Sequence, residues 1–369
     1  MKVALFSSVP YTGPAPRGSW PVPVDTYSTE IAERSMAWSL EQFQLADEVG
    51  FDWVTVAEHH YAPMSLSPNP MVMAGALTQR VKRAKIALLG SNIPILNPVR
   101  VAEEFSMLDT LTGGRVVAGM LRGTSNEYVT YGTNPAESYE RFEEALQLIV
   151  KAWTEPRPFG WQGRYFEYRS ISIWPRPVQQ PHPPIYMSGS SPESGECAAR
   201  NHVSLGFAVT SVPIASKAAS YYRERAHAAG WEPEPENVLY RVGVHVADSD
   251  EQAMEDMRPP TGAPAAAPRA GYSTSNRALD EAVAQAGYYG RDIDTQRGRV
   301  RRGGELADRI ANGQLLAGKP ETVIAQIASI QQQLGAGVLD LIFTSPGQDK
   351  TRHAIELFGT QVLPRIRDL

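Results

Sequence analysis

Four short clusters in this 369-residue chain carry residue types that can bind or move charge. They are Glu58-His59-His60, Gly90-Ser91-Asn92, Leu121-Arg122-Gly123-Thr124-Ser125-Asn126-Glu127 and Ser188-Gly189-Ser190-Ser191-Pro192-Glu193-Ser194. In the last of these, small residues bare their backbone N–H groups, and Pro192 suits the first turn of a helix. A helix start offers unpaired donors and a partial positive charge, which suits a phosphate, although an ordinary serine cap would leave the same trace. Arg122 adds a guanidinium able to hold a phosphate through two hydrogen bonds. Together the two clusters suggest a phosphate-bearing cofactor.

Glu58-His59-His60 has three readings. Neighbouring histidines on extended backbone point to opposite sides, and no His-Glu-x-x-His spacing occurs, so a shared metal is the weakest. A hydrogen-bonded structural histidine suits His60. A general acid or base suits His59, because imidazole titrates near neutral pH. The single cysteine, Cys197, excludes an internal disulfide framework and any multi-cysteine metal centre, and reads as a small buried residue. Gly335-Ala336-Gly337 precedes a strand and so is not a dinucleotide fingerprint; no nucleophile elbow and no Walker loop occurs.

Positioning these clusters requires a regular frame, and the hydrophobic periodicity supplies one. Strand-length apolar runs lie at 2–7, 53–57, 84–90, 115–119, 184–188, 204–208, 239–246 and 338–343. Helix-period segments lie at 33–49, 70–80, 98–111, 139–153, 192–201, 213–229, from near 249, at 320–334 and at 350–367. About eight β–α repeats predict an α/β fold, a (β/α)8 TIM barrel, with an open doubly wound sheet as the alternative. All four clusters follow strands. In a barrel the strand ends converge on one face, so the clusters converge with them. Three stretches break the rhythm: 9–27, 155–183 (a hairpin excursion) and 256–313, a lid or a solvated linker. The whole of 1–369 is expected to form one barrel domain carrying these insertions.

Composition narrows the partners. The 35 basic and 40 acidic residues leave a net charge of −5, which argues against nucleic acid. No apolar run approaches the roughly 18 residues of a membrane span, and no leader pattern opens the chain, so a cytoplasmic protein is expected.

At these clusters the sequence resembles the bacterial luciferase-like family of flavin-dependent monooxygenases. The densest piece is Asn97-Pro98-Val99-Arg100-Val101-Ala102-Glu103-Glu104, followed by Leu108-Asp109-Thr110-Leu111-Thr112-Gly113-Gly114-Arg115. Asn69-Pro70, Gly119, the Pro184–Ser191 segment and Leu316-Ala317-Gly318-Lys319-Pro320-Glu321 add to it. The resemblance implies a barrel that holds FMN at the strand ends. By position, Arg122, Ser190, Ser191 and Ser194 match the phosphate contacts, with Ser188 and Gly189 in the same loop. Gly90-Ser91-Asn92 would pass beside the isoalloxazine with Glu58 near it, and Leu121 would lie close to the ring. A non-proline cis peptide is expected near Gly90-Ser91. His59 matches the family's catalytic histidine.

The implied activity is that of a two-component monooxygenase. A separate flavin reductase would supply reduced FMN, which with O2 would form a C4a-peroxyflavin and oxygenate a small organic substrate such as an aldehyde or ketone. Two alternatives accompany it: an F420-dependent oxidoreductase performing hydride transfer on the same fold, and a non-catalytic flavin-binding protein. The resemblance also implies a homodimer through the helices flanking the second and third strands. Asn97 departs from the histidine that many members carry before Pro-Val-Arg.

Overall fold

A computed structural model describes residues 1–16, 20–208, 210–258, 285 and 305–369. The chain alternates strand and helix from the start. β1 (Lys2–Phe6), α1 (Thr29–Val49), β2 (Trp53–Val56), α2 (Pro70–Arg80), β3 (Lys85–Asn92), α3 (Pro98–Thr112) and β4 (Val116–Leu121) form the first half. After β4 come α4 (Ser125–Thr130), α5 (Ser138–Thr154), the strands β5 (Phe159–Gln162) and β6 (Glu167–Ile171), β7 (Ile185–Ser188), α6 (Pro192–Arg200), β8 (Ser204–Ala208) and α7 (Val212–Ala228). β9 (Val238–Val246), α8 (Asp250–Met257), α9 (Leu306–Ala311), β10 (Leu315–Gly318), α10 (Pro320–Leu334), β11 (Val338–Phe343) and α11 (Gln348–Leu357) follow, and a π-helical turn at Phe358–Val362 leads into the closing α12 (Leu363–Ile366).

Eight parallel strands close on themselves in the order β9-β11-β1-β2-β3-β4-β7-β8, with β8 pairing back onto β9. Closure is the TIM-barrel arrangement, and it rules out the open-sheet alternative. Strand residues alternate between two environments. Ala4, Trp53, Ala87, Leu89, Val117, Tyr186, Leu239 and Val338 fill the barrel interior, while their neighbours pack against the helices in a larger outer core. Burial on both faces explains why these strands read as continuous apolar runs.

Local signals account for the helix limits. Ser28 caps α1 by accepting a hydrogen bond from Ile31 N, so this helix starts at Thr29, before the expected 33. Gly50 and Gly113, with φ of 98° and 66°, end α1 and α3 in the left-handed conformation. Asn69 and Asn97 cap α2 and α3, each with proline in the first turn. Asn97 is thus a helix cap in this chain, which gives its departure from histidine a local role.

Three short elements, β10, α4 and α9, were not visible in the periodicity. β10 is four residues long and pairs with the outer half of β9, from Leu315 opposite Gly243 to Gly318 opposite Val246, beyond the point where β8 stops. α4 has only six residues. The 155–183 stretch does hold an antiparallel hairpin, β5 with β6. Its turn is fastened by Glu144, which accepts from the backbone N–H groups of Arg164, Tyr165 and Phe166 at 2.9–3.0 Å. The 9–27 stretch packs on the mouth of the barrel through buried Tyr11 and Trp20. Most of the 256–313 stretch lies outside the described residues. Among the described residues no helix is long and apolar enough to cross a membrane.

Candidate functional site

The ends of β2, β3, β4 and β7 meet at the C-terminal mouth, and all four clusters stand there. The strands approach one another closely. A Cβ on Gly90 would lie 2.5 Å from Ala57 Cα and Glu58 N, and one on Gly119 would lie 2.2 Å from Leu88 O. Only glycine admits both approaches. β3 slips register against β4 between Leu89 and Ser91, and this bulge turns the strand end toward the mouth. The slip occurs with an ordinary trans peptide: among the described residues the cis bonds are Trp20-Pro21, Trp174-Pro175 and Gln180-Pro181. The cis peptide expected at Gly90-Ser91 is therefore absent, because the bulge itself redirects the chain.

The adjacent histidines face different partners. His60 is buried and its Nε2 lies 3.1 Å from Glu58 Oε1. The other oxygen of Glu58 accepts from the backbone N–H of Asn92 at 3.2 Å. Glu58, itself 3% exposed, thus ties the end of β3 to the β2 loop, with both oxygens engaged by the protein. Trp20 Nε1 donates to the carbonyl of His60 at 3.0 Å, which docks the 9–27 stretch on the same loop.

His59 is 23% exposed and its Nδ1 lies 3.2 Å from Oε1 of Glu127. Glu127 is 1% exposed, and its second oxygen accepts from the Thr124 backbone N–H at 2.5 Å and from the Thr124 hydroxyl. Burial pushes the Glu127 carboxyl up, but the His59 and Thr124 hydrogen bonds and the His59 charge outweigh it and hold the group below its ordinary range. One carboxylate therefore caps α4 and orients an imidazole. With Nδ1–H given to Glu127, the tautomer of neutral His59 leaves Nε2 as the proton acceptor. Glu127 had no assigned role in the sequence, although Thr124-x-x-Glu127 is a capping-box spacing and marks a carboxylate fixed at a helix start.

Across the mouth, Arg122 Nη1 donates to Ser138 Oγ at 3.2 Å, and its guanidinium carbon lies 4.1 Å above the Tyr139 ring. The Tyr139 hydroxyl is 3.3 Å from Ser191 Oγ, which is 3.1 Å from Ser194 Oγ. Tyr139, absent from the sequence reading because it opens an amphipathic helix, links the arginine to the serine loop. Ser191 caps α6 by accepting from Ser194 N at 3.3 Å, so the serine-cap reading of this loop holds. Gly189 makes room for it: a Cβ there would meet Ser194 Oγ at 2.2 Å. Ser188 ends β7 exposed, Ser190 is half-buried, and Leu121 ends β4 half-buried.

The fit to a cofactor can be tested on the polar atoms themselves. Ser91 Oγ, Asn92 Nδ2, Asn126 Nδ2, Ser67 Oγ and Glu193 Oε2 are buried without a hydrogen-bond partner among the described residues. Leaving a buried polar atom unpaired costs about 1–3 kcal/mol, so a group of them marks a place completed by a ligand. Ser91 and Asn92 lie on the β3 end and Asn126 at the start of α4, on the same side of the mouth as His59. Donors at the β3 end and a guanidinium beside a capped helix start fit a flat heterocycle with a phosphate tail. Cys197 on α6 is buried, and burial first, then the Glu143 charge, push its thiol up to about 12; a thiolate is out of reach there.

The family model for luciferase-like monooxygenases matches residues 20–337. The oxygenase component of a flavin-dependent trigonelline monooxygenase from Acinetobacter baylyi is 27% identical over 224 residues, covering 58% of this chain and 60% of that protein. An F420-dependent glucose-6-phosphate dehydrogenase from Nakamurella multipartita is 29% identical over 353 residues, covering 88% and 91%. The first relatives are thus spanned over about half to three fifths of their length. Among solved structures, the FMN-bound oxygenating constituent of 3,6-diketocamphane monooxygenase from Pseudomonas putida superposes with a TM-score of 0.75 at 22% identity, over 99% of both chains.

Proposed function

The chain belongs to the luciferase-like monooxygenase family, a group of flavin-dependent oxidoreductases whose relatives here include both FMN monooxygenases and F420-dependent dehydrogenases, and from that premise we propose that it is the oxygenase component of a two-component, FMN-dependent monooxygenase. It would take reduced FMN from a separate reductase and act on a small organic substrate, with the whole chain forming one barrel domain. The observation that carries the reading is the pairing of His59 with buried Glu127 beside the unpartnered Ser91, Asn92 and Asn126 groups. Such a site combines a held proton-transfer group with donors that await a polar heterocycle.

The residues divide the work. Arg122, Ser190, Ser191 and Ser194 hold the phosphate, with Ser188 and Gly189 shaping the loop. Ser91 and Asn92 donate toward the ring beside Gly90 and Leu121. Glu58 holds the β3 end in place. The reduced cofactor, when bound, supplies the electrons for activating O2. His59 moves the proton at Nε2, and Glu127 fixes its tautomer and stabilises the imidazolium. Glu127 is a positioning residue, since it reaches the chemistry only through His59.

Anaerobic titration with reduced FMN and reduced F420, followed by admission of oxygen, tests the proposal. Preference for FMN and oxygen consumption coupled to product from a carbonyl panel support it. Preference for F420 without oxygen uptake moves the protein to hydride transfer. Binding of FMN without turnover, with a reductase and oxygen present, leaves a flavin-binding protein.

A further inference from the structure

The candidate cofactor residues occupy the ends of β2, β3, β4 and β7. The other half of the ring, β9, β11 and β1, carries a second polar group that none of these roles uses. Arg241 on β9 alternates with the interior residue Leu239 and therefore faces the lumen. It is paired with Ala208, the last residue of β8, so it stands level with that strand's end, at the mouth. Phe6, the last residue of β1, lies beneath the guanidinium, its ring centre 3.6 Å from the guanidinium carbon.

Arg241 is held by one edge. Its Nε donates to Asp340 Oδ2 at 2.6 Å, and Asp340, fully buried, accepts at its other oxygen from Thr55 Oγ1 at 2.7 Å. The side chain is 12% exposed, yet its two terminal nitrogens have no hydrogen-bond partner among the described residues. A pair built only to fill the lumen would gain little stability, since two apolar side chains serve as well there. What distinguishes this pair is a rigid, charged, half-used fork at the mouth. The spacing of two terminal N–H groups matches the two oxygens of a carboxylate.

We propose that Arg241 is the substrate-reading residue, and that the substrate is an organic molecule bearing a carboxylate, which takes the Nη1/Nη2 edge while its carbon body lies against Phe6. Asp340 and Thr55 are positioning residues that keep the fork aimed. The inference rests on the oxygenase reading only in placing the substrate opposite the cofactor loop. It names the substrate class for that same site.

The test uses the full chain, with and without bound FMN, and calorimetric titration of monocarboxylic acids from butanoate to 2-naphthoate, each paired with its carboxamide. At least one acid is expected to bind ten-fold or more tightly than its amide. Arg241→Gln erases the preference and Arg241→Lys, which loses the fork, cuts it at least five-fold. Because Arg241→Gln strands the Asp340 charge, the double variant Arg241→Gln/Asp340→Asn provides a second, neutral background in which the preference is also lost. A wild-type protein that favours no acid over its amide overturns the proposal, as does a preference that survives in either glutamine variant. Failure of FMN and F420 binding with the acid preference intact would instead break the cofactor reading, so the two failures read out separately.

Discussion

The two ends of this barrel treat polar groups in opposite ways. At the N-terminal end, Asp47 accepts from the backbone N–H groups of Lys82, Arg83 and Ala84 at 2.7–2.9 Å, and Arg367 clasps Asp52 through both oxygens at 2.6–2.7 Å. At the C-terminal end stand all five buried side-chain atoms that lack a partner among the described residues. Ser67, Ser91, Asn92, Asn126 and Glu193 each follow or end a strand of the mouth. One end is complete in itself, and the other is built around something else. The same lesson explains why a cavity of about 460 Å³ at the N-terminal end, lined by Asp47, Asp52, Arg83 and Arg367, is not the candidate site. These four charged groups already have partners.

This contrast can be broken by substitution, and the largest effect is expected at the mouth. His59→Ala should lower turnover by roughly 10²–10⁴-fold with FMN affinity nearly unchanged, as single-turnover kinetics and a fluorescence titration would show. Wild-type turnover would remove His59 from the chemistry. Next, Arg122→Ala should weaken FMN binding by about 2–3 kcal/mol, the worth of a charged hydrogen bond to phosphate. An unchanged dissociation constant would place the phosphate elsewhere.

At the closed end the expectation reverses. Asp47→Ala should lower stability to urea by about 1–3 kcal/mol, because three backbone donors lose their acceptor, while FMN affinity stays put. A change in FMN affinity without loss of stability would erase the distinction between the ends. The smallest effect concerns pH. The Glu127 carboxyl sits below its ordinary value of 4.5, so its stabilisation is present above that value and is lost as pH falls through the lowered one. The melting temperature of the wild type should therefore drop more steeply below about pH 4.5 than that of Glu127→Gln.

The frame of the site was legible in the sequence because strands buried on both faces and amphipathic helices leave strong, different periods. The limits of α2 at Pro70–Arg80 and of α10 at Pro320–Leu334 follow directly from their proline starts and from the apolar spacing. β10 escaped because four residues leave too short a trace, although its Leu316-Ala317-Gly318 piece belongs to the family resemblance. Within the site, residue type and place after a strand singled out His59, Arg122 and the serine loop. Pairings between them were not legible. Tyr139 and Glu127 act through partners 52 and 68 positions away, and only the closed barrel brings those positions together. Arg241 and Asp340, 99 residues apart, were hidden in strands otherwise apolar in pattern.

Glu127 serves two structures at once. The carboxylate that orients His59 also closes the first turn of α4, a helix of six residues, too short to hold itself together in water. Fraying of that one turn would release the imidazole while every barrel strand stayed paired. Loss of the α4 turn and loss of the His59–Glu127 pairing would therefore be a single event.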